Sequence, residues 1–373
     1  MNKYKVPVNE TLLKGNEKKY LVKCINDNFI SSSGPFVTKF EKNFAKKVDR
    51  KYAIAVSNGT AAIQLAFESL NLKKKDEVIL PSFTIISCVL PVIRCGATPI
   101  LIDSDPITWN MDVNKIEEKI TKKTKAIIAP HIYGLPIDMD PLLRIAKKYK
   151  LKVIEDSAEM IGQNYKKKSC GSFGDVSTFS FYANKHITTG EGGMVVTNDT
   201  KIAQTCRSLR NICFNQERRF LHYRLGWNYR FTNIQAAIGL AQLEKLNKFV
   251  AKKRKIGEIY EKALSNIDTF KTPCKKTNYA KNIYWVYGLV LNKNSKFSVK
   301  TIMKKLKSHG VETRNFFWPL HQQPILKKMG FFKKCKLPVS EYLAKNGFYI
   351  PTGLSITKAQ QKYVINKIKK ILK

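Results

Sequence analysis

Apolar and polar positions between residues 50 and 200 alternate in blocks. Short, β-branched apolar runs at Glu77–Pro81 (EVILP), Thr98–Asp103 (TPILID), Ala126–Pro130 (AIIAP), Lys152–Asp156 (KVIED) and Val176–Phe181 (VSTFSF) read as strands buried on both faces. Between them, Ala61–Leu70 and Pro141–Tyr149 carry apolar residues at helical spacing. Strands alternating with helices predict an α/β fold with a mainly parallel central sheet. Ligands in such sheets sit beyond the carboxyl ends of the strands, so the residues just after each strand are the ones to examine.

The pattern changes near Thr232. Residues Thr232–Leu264 form a long helical stretch with an expected break near Phe249. A strand at Trp285–Leu291, a helix from Val299 to Lys307 and a C-terminal helix from Lys358 follow. This predicts a large domain over residues 1–248 and a smaller α+β domain over 249–373, without internal repeats or a low-complexity linker.

Composition narrows the class. A chain of 373 residues is long enough for about two domains, and 43% hydrophobic residues exclude disorder over most of it. The longest apolar run, Ile85–Ile93, has nine residues including a proline, against about twenty for a membrane helix. The stretch MNKYKVPVNE lacks the apolar centre of a secretory leader. The expectation is a soluble, cytoplasmic protein with no membrane partner. Its 8 cysteines are scattered, with no CxxC pair, so free thiols are expected and no metal site. The net charge of +39 admits two readings, attraction to a polyanion or a lysine-rich solvated surface. The clusters Lys73–Lys75, Lys166–Lys168 and Lys252–Lys255 lie far apart and no nucleic-acid-binding motif accompanies them. The surface reading is preferred, with phosphate-bearing substrates attracted as a side effect.

Four segments carry candidate chemistry. Ser57–Ala62 (SNGTAA) is a small-residue turn opening a helix, where backbone N–H groups and the helix end favour an anion. Glu155–Glu159 (EDSAE) ends a strand on carboxylates. Ser180–Lys185 (SFYANK) brings a lysine directly after an apolar strand and before the glycine-rich Thr188–Gly193 (TTGEGG). A lysine held in such a pocket has a lowered pKa and can act as nucleophile or base. Gly226–Asn233 (GWNYRFTN) precedes the long helix, with Thr232 or Asn233 near its start. Each segment alone has an ordinary structural reading. An anion-binding turn, a strand-end Asp and a strand-end Lys together are what a pyridoxal phosphate site requires, with the lysine bound to the cofactor and the acid keeping the pyridine nitrogen protonated.

These motifs resemble the DegT/DnrJ/EryC1/StrS family of sugar aminotransferases, closest to its perosamine-forming branch. The likeness runs from Pro7–Glu10 and Phe29–Pro35, through NKHITTGEGGMVVTND and GWNYRFTNIQAAIGLAQLE, to Arg314–His321. The resemblance implies the aspartate-aminotransferase fold (fold type I) and a homodimer with shared active sites. It implies that Lys185 binds pyridoxal 5′-phosphate, that Asp156 partners the pyridine nitrogen, and that Gly59, Thr60 and Ser180 cradle the phosphate. Asn228 matches an asparagine reaching the phosphate from the neighbouring subunit, and Glu159 stands where relatives carry His or Glu near the ring's phenolic oxygen. Ser31, Arg230, Arg314 and His321 lie in segments that contact the nucleotide sugar in relatives. Two positions depart from the family: Ile85 stands where an aromatic residue stacks on the ring, and Trp227 replaces a tyrosine.

The reaction so implied is transamination of the C4 ketone of a nucleotide-linked 4-keto-6-deoxyhexose, with L-glutamate as donor and pyridoxamine phosphate formed midway. One alternative is a C3 aminotransferase or a 3-dehydratase of such a sugar; the dehydratases carry His at the lysine position, and His186 here is one residue late. Another is a basic nucleic-acid-binding protein on the same scaffold, which would bind with steep salt dependence.

Overall fold

The computed structural model describes residues 4–372. Residues 1–3, part of the stretch read for a leader, and residue 373 of the second domain lie outside the described residues.

The strands of the larger sheet are β1 (Tyr52–Val56), β2 (Glu77–Pro81), β3 (Thr98–Ile102), β4 (Thr124–Pro130), β5 (Lys152–Asp156), β8 (Val176–Ser180) and β9 (Gly193–Thr197); a small hairpin of β6 (Asn164–Tyr165) and β7 (Lys168–Ser169) lies between β5 and β8. Their spatial order is β1-β9-β8-β5-β4-β2-β3. Pairs among β3, β2, β4, β5 and β8 are parallel, and β9 alone runs against its neighbours β8 and β1. The carboxyl ends of β1, β2, β4, β5 and β8 therefore share one edge, where the candidate segments begin.

Alternation across the strands builds two cores. Ile54, Val56, Leu80, Ile128, Ile154 and Val195 face one side, against the helices Gly59–Ser69 and Thr200–Arg210. Ala53, Ala55, Phe179, Met194 and Val196 face the other, against Phe36, Phe40 and Phe44. Nearly all of these are fully buried, which is why the strands read as continuous apolar runs.

Helix α1 spans Glu17–Asn26, α2 Pro35–Lys47, α3 Gly59–Ser69, α4 Leu90–Arg94, α5 Met139–Lys148, α6 Thr200–Arg210, α7 Asn233–Glu244 and α8 Leu246–Leu264. Helix α7 opens on a capping box, the Thr232 side chain accepting from the Gln235 N–H and the Gln235 side chain accepting from Thr232. The long helical stretch breaks at Lys245, earlier than the expected Phe249. Phe249 is instead buried, and its N–H continues α8 by bonding to the Lys245 carbonyl.

A second, antiparallel sheet orders β10 (Phe270–Lys271), β11 (Tyr287–Leu291), β13 (Gly347–Ile350) and β12 (Arg314–Asn315) as β10-β11-β13-β12. It packs with α8 and the helix Lys358–Leu372 around Tyr260, Tyr287, Leu289, Phe348 and Ile368. Strand β11 starts two residues after the expected Trp285, because Tyr284 adopts a left-handed φ of 50° and turns the chain there. A cluster of Phe83, Trp109, Tyr133, Trp285 and Phe316 joins the two sheets.

Candidate active site

Residues from both sheets surround one cavity of about 340 Å³ at the carboxyl edge of the large sheet. Gly59, Thr60, Ile85, Asp156, Glu159, Ser180 and Lys185 all line it.

The turn after β1 makes its floor. Asn58 caps α3, its side-chain oxygen accepting from the Ala61 N–H at 2.8 Å. Gly59 is the first residue of the helix, and a Cβ there would lie 2.8 Å from the Ser180 Cβ. No larger residue fits, so the Gly59 backbone lies directly beside the Ser180 side chain at the end of β8. Thr60 Oγ1 is 2.8 Å from Ser87 Oγ. Free N–H groups at a helix N-terminus beside a hydroxyl form an anion site.

Period-two alternation at the end of β5 divides two adjacent acids between opposite faces. Glu155 points away from the cavity. Its Oε1 meets His131 Nε2 at 3.1 Å and accepts from Ser157 Oγ and the Gly171 N–H, while its Oε2 accepts from the N–H groups of Phe173 and Gly174 and from Ser177 Oγ. Burial works against its charge, yet His131 and these N–H donors bring its pKa down to about 2. Glu155, His131 and Cys170 are also the one trio of potential metal ligands among the described residues. The carboxylate oxygens there are already filled by hydrogen bonds.

Asp156 points into the cavity. Its Oδ1 accepts from the Ala158 N–H at 3.1 Å and from Thr178 Oγ1 at 3.2 Å, and Oδ2 accepts from the Cys88 thiol at 3.5 Å. Burial raises its pKa, and these donors and the nearby Lys185 amine oppose the rise. Glu159 accepts from the Tyr133 N–H at 2.6 Å. Burial raises the pKa of its carboxyl, and the charge of Lys185 opposes the rise. Tyr133 holds a left-handed φ of 55° to direct that N–H, a strained conformation for a tyrosine.

Lys185 follows β8 after a short turn in which its N–H bonds to the Tyr182 carbonyl. Its Nζ lies 3.8 Å from the centre of the Trp285 ring. Burial lowers the pKa of the amine, opposed by the charges of Glu159 and Asp156. An amine that sheds its proton readily, an acid at a strand tip and an anion cradle thus face one another.

Trp285, Phe317 and Tyr349 complete the wall. Sequence reasoning missed all three. They come from the second sheet and its flanks, far along the chain from the strand-end motifs; Phe317 lies inside the Arg314–His321 segment, but nothing there singles it out.

The remaining candidates lie elsewhere. Asn228 does not line this cavity; it pairs with Asn211, and its Oδ1 accepts from Arg230 Nε. Arg230 lines a separate cavity of about 550 Å³ with Ser32, Ser33, Arg207 and Arg210. Ser31 is exposed beside it, its carbonyl accepting from the Asn233 N–H. Arg314 is exposed and paired with Glu312 at 2.8 Å. His321 is buried between Ser82 Oγ at 2.7 Å and Glu341 Oε1 at 2.9 Å, where it ties β2 to a C-terminal helix. His186 is buried against the Ile283 carbonyl, outside the cavity, and burial lowers its pKa to about 3. Trp227 stacks on Tyr229, the ring centres 5.3 Å apart.

The sequence matches the profile of the DegT/DnrJ/EryC1/StrS aminotransferase family over residues 12–369. It is 42% identical to a GDP-perosamine synthase of Escherichia coli O157:H7, with 97% of each chain covered. It is 40% identical to a GDP-perosamine synthase of Caulobacter vibrioides, with 96% of each covered. Among solved structures it is similar to a mutant GDP-4-keto-6-deoxymannose-3-dehydratase with bound GDP-perosamine, with a TM-score of 0.91, 25% identity, and 97% of this chain and 100% of that one covered.

Proposed function

The chain belongs to the DegT/DnrJ/EryC1/StrS aminotransferase family, and we propose that it places an amino group on C4 of a nucleotide-linked 4-keto-6-deoxyhexose. The cofactor is pyridoxal 5′-phosphate, and the residues present suit it. A Cβ at Gly59 would fill the phosphate cradle, and the buried Asn184 Oδ1 beside Lys185 lacks a hydrogen-bond partner. When bound, the cofactor supplies an aldehyde for a lysine and a ring that stores electrons. Lys185 would hold it covalently and Asp156 would hold its ring nitrogen. Gly59, Thr60 and Ser180 would hold the phosphate, and Ile85 would pack on the ring. The observation that carries the reading is Lys185 and Asp156 facing one cavity with that cradle, in a chain 42% identical over nearly its whole length to a GDP-perosamine synthase.

Lys185 is the group that moves the proton. Its lowered pKa lets the freed amine take a proton from one carbon and return it to another, a role that contributes about 10²–10⁴-fold in rate. Glu159 lines the same cavity, where burial pushes its carboxyl toward the neutral acid and the charge of Lys185 opposes that push, and it would face the ring. The donor is L-glutamate, leaving as 2-oxoglutarate, and the sugar nucleotide carries GDP. Ser31, Arg230, Arg314 and His321 are assigned to substrate contact, of which Arg230 has the strongest support because its cavity gathers Arg207 and Arg210.

The working form is a homodimer with shared sites. Among the described residues Lys185 is the only Lys or Arg lining its cavity, too little positive charge for a bound phosphate. Phe220, Tyr223 and Leu225 are 80%, 83% and 90% exposed on the loop that leads to Asn228. A second copy covering that loop would bury the apolar surface and bring Asn228 to the neighbouring phosphate. The chain divides at residue 248 into a cofactor domain and a smaller C-terminal one. Among the described residues no helix is long and apolar enough to cross a membrane, and the cytoplasm, where nucleotide sugars and glutamate meet, is the assigned compartment.

The test incubates purified protein and glutamate with GDP-, UDP- and dTDP-4-keto-6-deoxyhexoses and characterises the product by mass and proton coupling. An amino sugar with nitrogen on C4, formed fastest from the GDP substrate, is expected. Release of ammonia without an amino sugar would identify a 3-dehydratase and overturn the reading. So would tight DNA binding in a chain that develops no visible absorbance with the cofactor.

A further inference from the structure

Lys253 on α8 is 3% exposed, and its Nζ donates 2.7 Å hydrogen bonds to the backbone carbonyls of Trp285 and Thr352. None of the ion pairs among the described residues includes it. Burial alone moves its proton affinity, with no acid opposing it, and its charge bears on the buried His186. A buried amine without a counter-ion is costly and calls for a role. Burial brings its pKa down to about 7.

Its two carbonyl partners belong to the two segments that wall the candidate site from the second sheet. Gly257, one turn further on the same face of α8, lies so close to the Tyr284 ring that a Cβ would approach it to 2.3 Å. Tyr284 is the residue with φ of 50°, and its N–H is held by Asn282 Oδ1 at 2.6 Å. Helix α8 therefore presses on this strained turn at two points. Trp285 comes next, its indole N–H donating to the Asn184 carbonyl at 2.9 Å and its ring covering the Lys185 amine. Thr352 and Pro351, whose carbonyl accepts from Tyr260 on α8, end the segment that carries Tyr349.

We propose that Lys253 is a positioning residue: by holding the Trp285 carbonyl it keeps the indole face over the Lys185 amine and so tunes that amine for its reaction. The inference rests on the reading of Lys185 as the cofactor-binding lysine. A ring face stabilises a cation against it, and its loss lowers the amine's proton affinity about two- to thirty-fold in a desolvated site.

The test loads the full chain with one equivalent of pyridoxal phosphate across a pH series. Borohydride then reduces the adduct, and mass spectrometry quantifies the labelled Lys185 peptide. Trp285→Leu is expected to move the midpoint of labelling down by about 0.3–1.5 pH units. Lys253→Met should move it the same way, and the double variant should move it no further than Trp285→Leu alone. A wild-type midpoint in Lys253→Met, an unmoved midpoint in Trp285→Leu, or summed shifts in the double variant each overturn the inference. If Lys253→Met does not fold, Lys253→Gln is measured in its place and must show a smaller downward shift; none overturns the inference equally. Absence of label on Lys185 in the unaltered chain would instead defeat the cofactor reading itself.

Discussion

Gly59→Ala isolates the phosphate cradle from the rest of the chain. The added Cβ would stand 2.8 Å from the Ser180 Cβ and 3.2 Å from its Oγ. Ser180 cannot retreat easily, because it is paired with Gly193 in the β8–β9 ladder, and Gly193 is itself wedged against the Asn58 carbonyl. Overpacking of this kind costs about 1–3 kcal/mol, which would weaken cofactor binding about 5- to 150-fold if the clash displaces the Gly59 and Thr60 amides. Alanine also narrows the unfolded ensemble, by about 0.4–1 kcal/mol, so the apo-protein should lose less stability than the site loses affinity. The assay is titration of apo-protein with pyridoxal phosphate by absorbance, beside urea unfolding of the same sample. Ser180→Gly removes both the hydroxyl and the opposing Cβ. The double variant should therefore bind no worse than Ser180→Gly alone. Wild-type affinity in Gly59→Ala, or additive losses in the pair, would refute the account of a cradle built by close contact.

The other expectations test separate links. Lys185→Ala should lower turnover by at least about 10²-fold and leave no reduced adduct at that position; turnover within tenfold of wild type in the glutamate assay would sink its assigned role. Glu155→Gln tests the acid on the far face of β5. A carboxyl whose pKa falls from 4.5 to about 2 on folding contributes stability above pH 4.5 that is lost as pH falls toward 2. The wild type should thus lose about 3 kcal/mol over that range, whereas the variant should be weaker at pH 7 and flatter in acid, as read by urea unfolding. Asp156→Asn should move the S–H stretching band of Cys88 to higher wavenumber, since an amide accepts more weakly than a carboxylate; an infrared band identical to wild type would place the thiol's proton elsewhere.

Local sequence revealed what local chemistry decides. Strands β2, β3, β4, β5 and β8 are legible because both faces of the sheet are covered, and that leaves a largely continuous apolar run in each. Strand β1 and the reversed β9 are not marked by the sequence pattern, and for β9 the glycine-rich turn masks where the strand starts. Asp156 and Lys185 could be found because each is a polar residue directly after such a run. Trp285 and Tyr349 could not: the Trp285 indole is placed by the Asn184 carbonyl, 101 residues away, and Tyr349 by its pairing with Gly288 in the second sheet, and no local side-chain pattern records either partner. The pair Glu155–Asp156 shows the limit most sharply. The two acids are adjacent and alike in sequence, yet pleating sends one into six hydrogen bonds and the other into the cavity, and only the register of β5 against β4 and β8 decides which. A shift of one residue in that register would exchange their fates and remove the acid from the site. The continuous ladder pairing Pro130 with Asp156 and Asp156 with Thr178 is therefore as much a requirement of the chemistry as the carboxyl group itself.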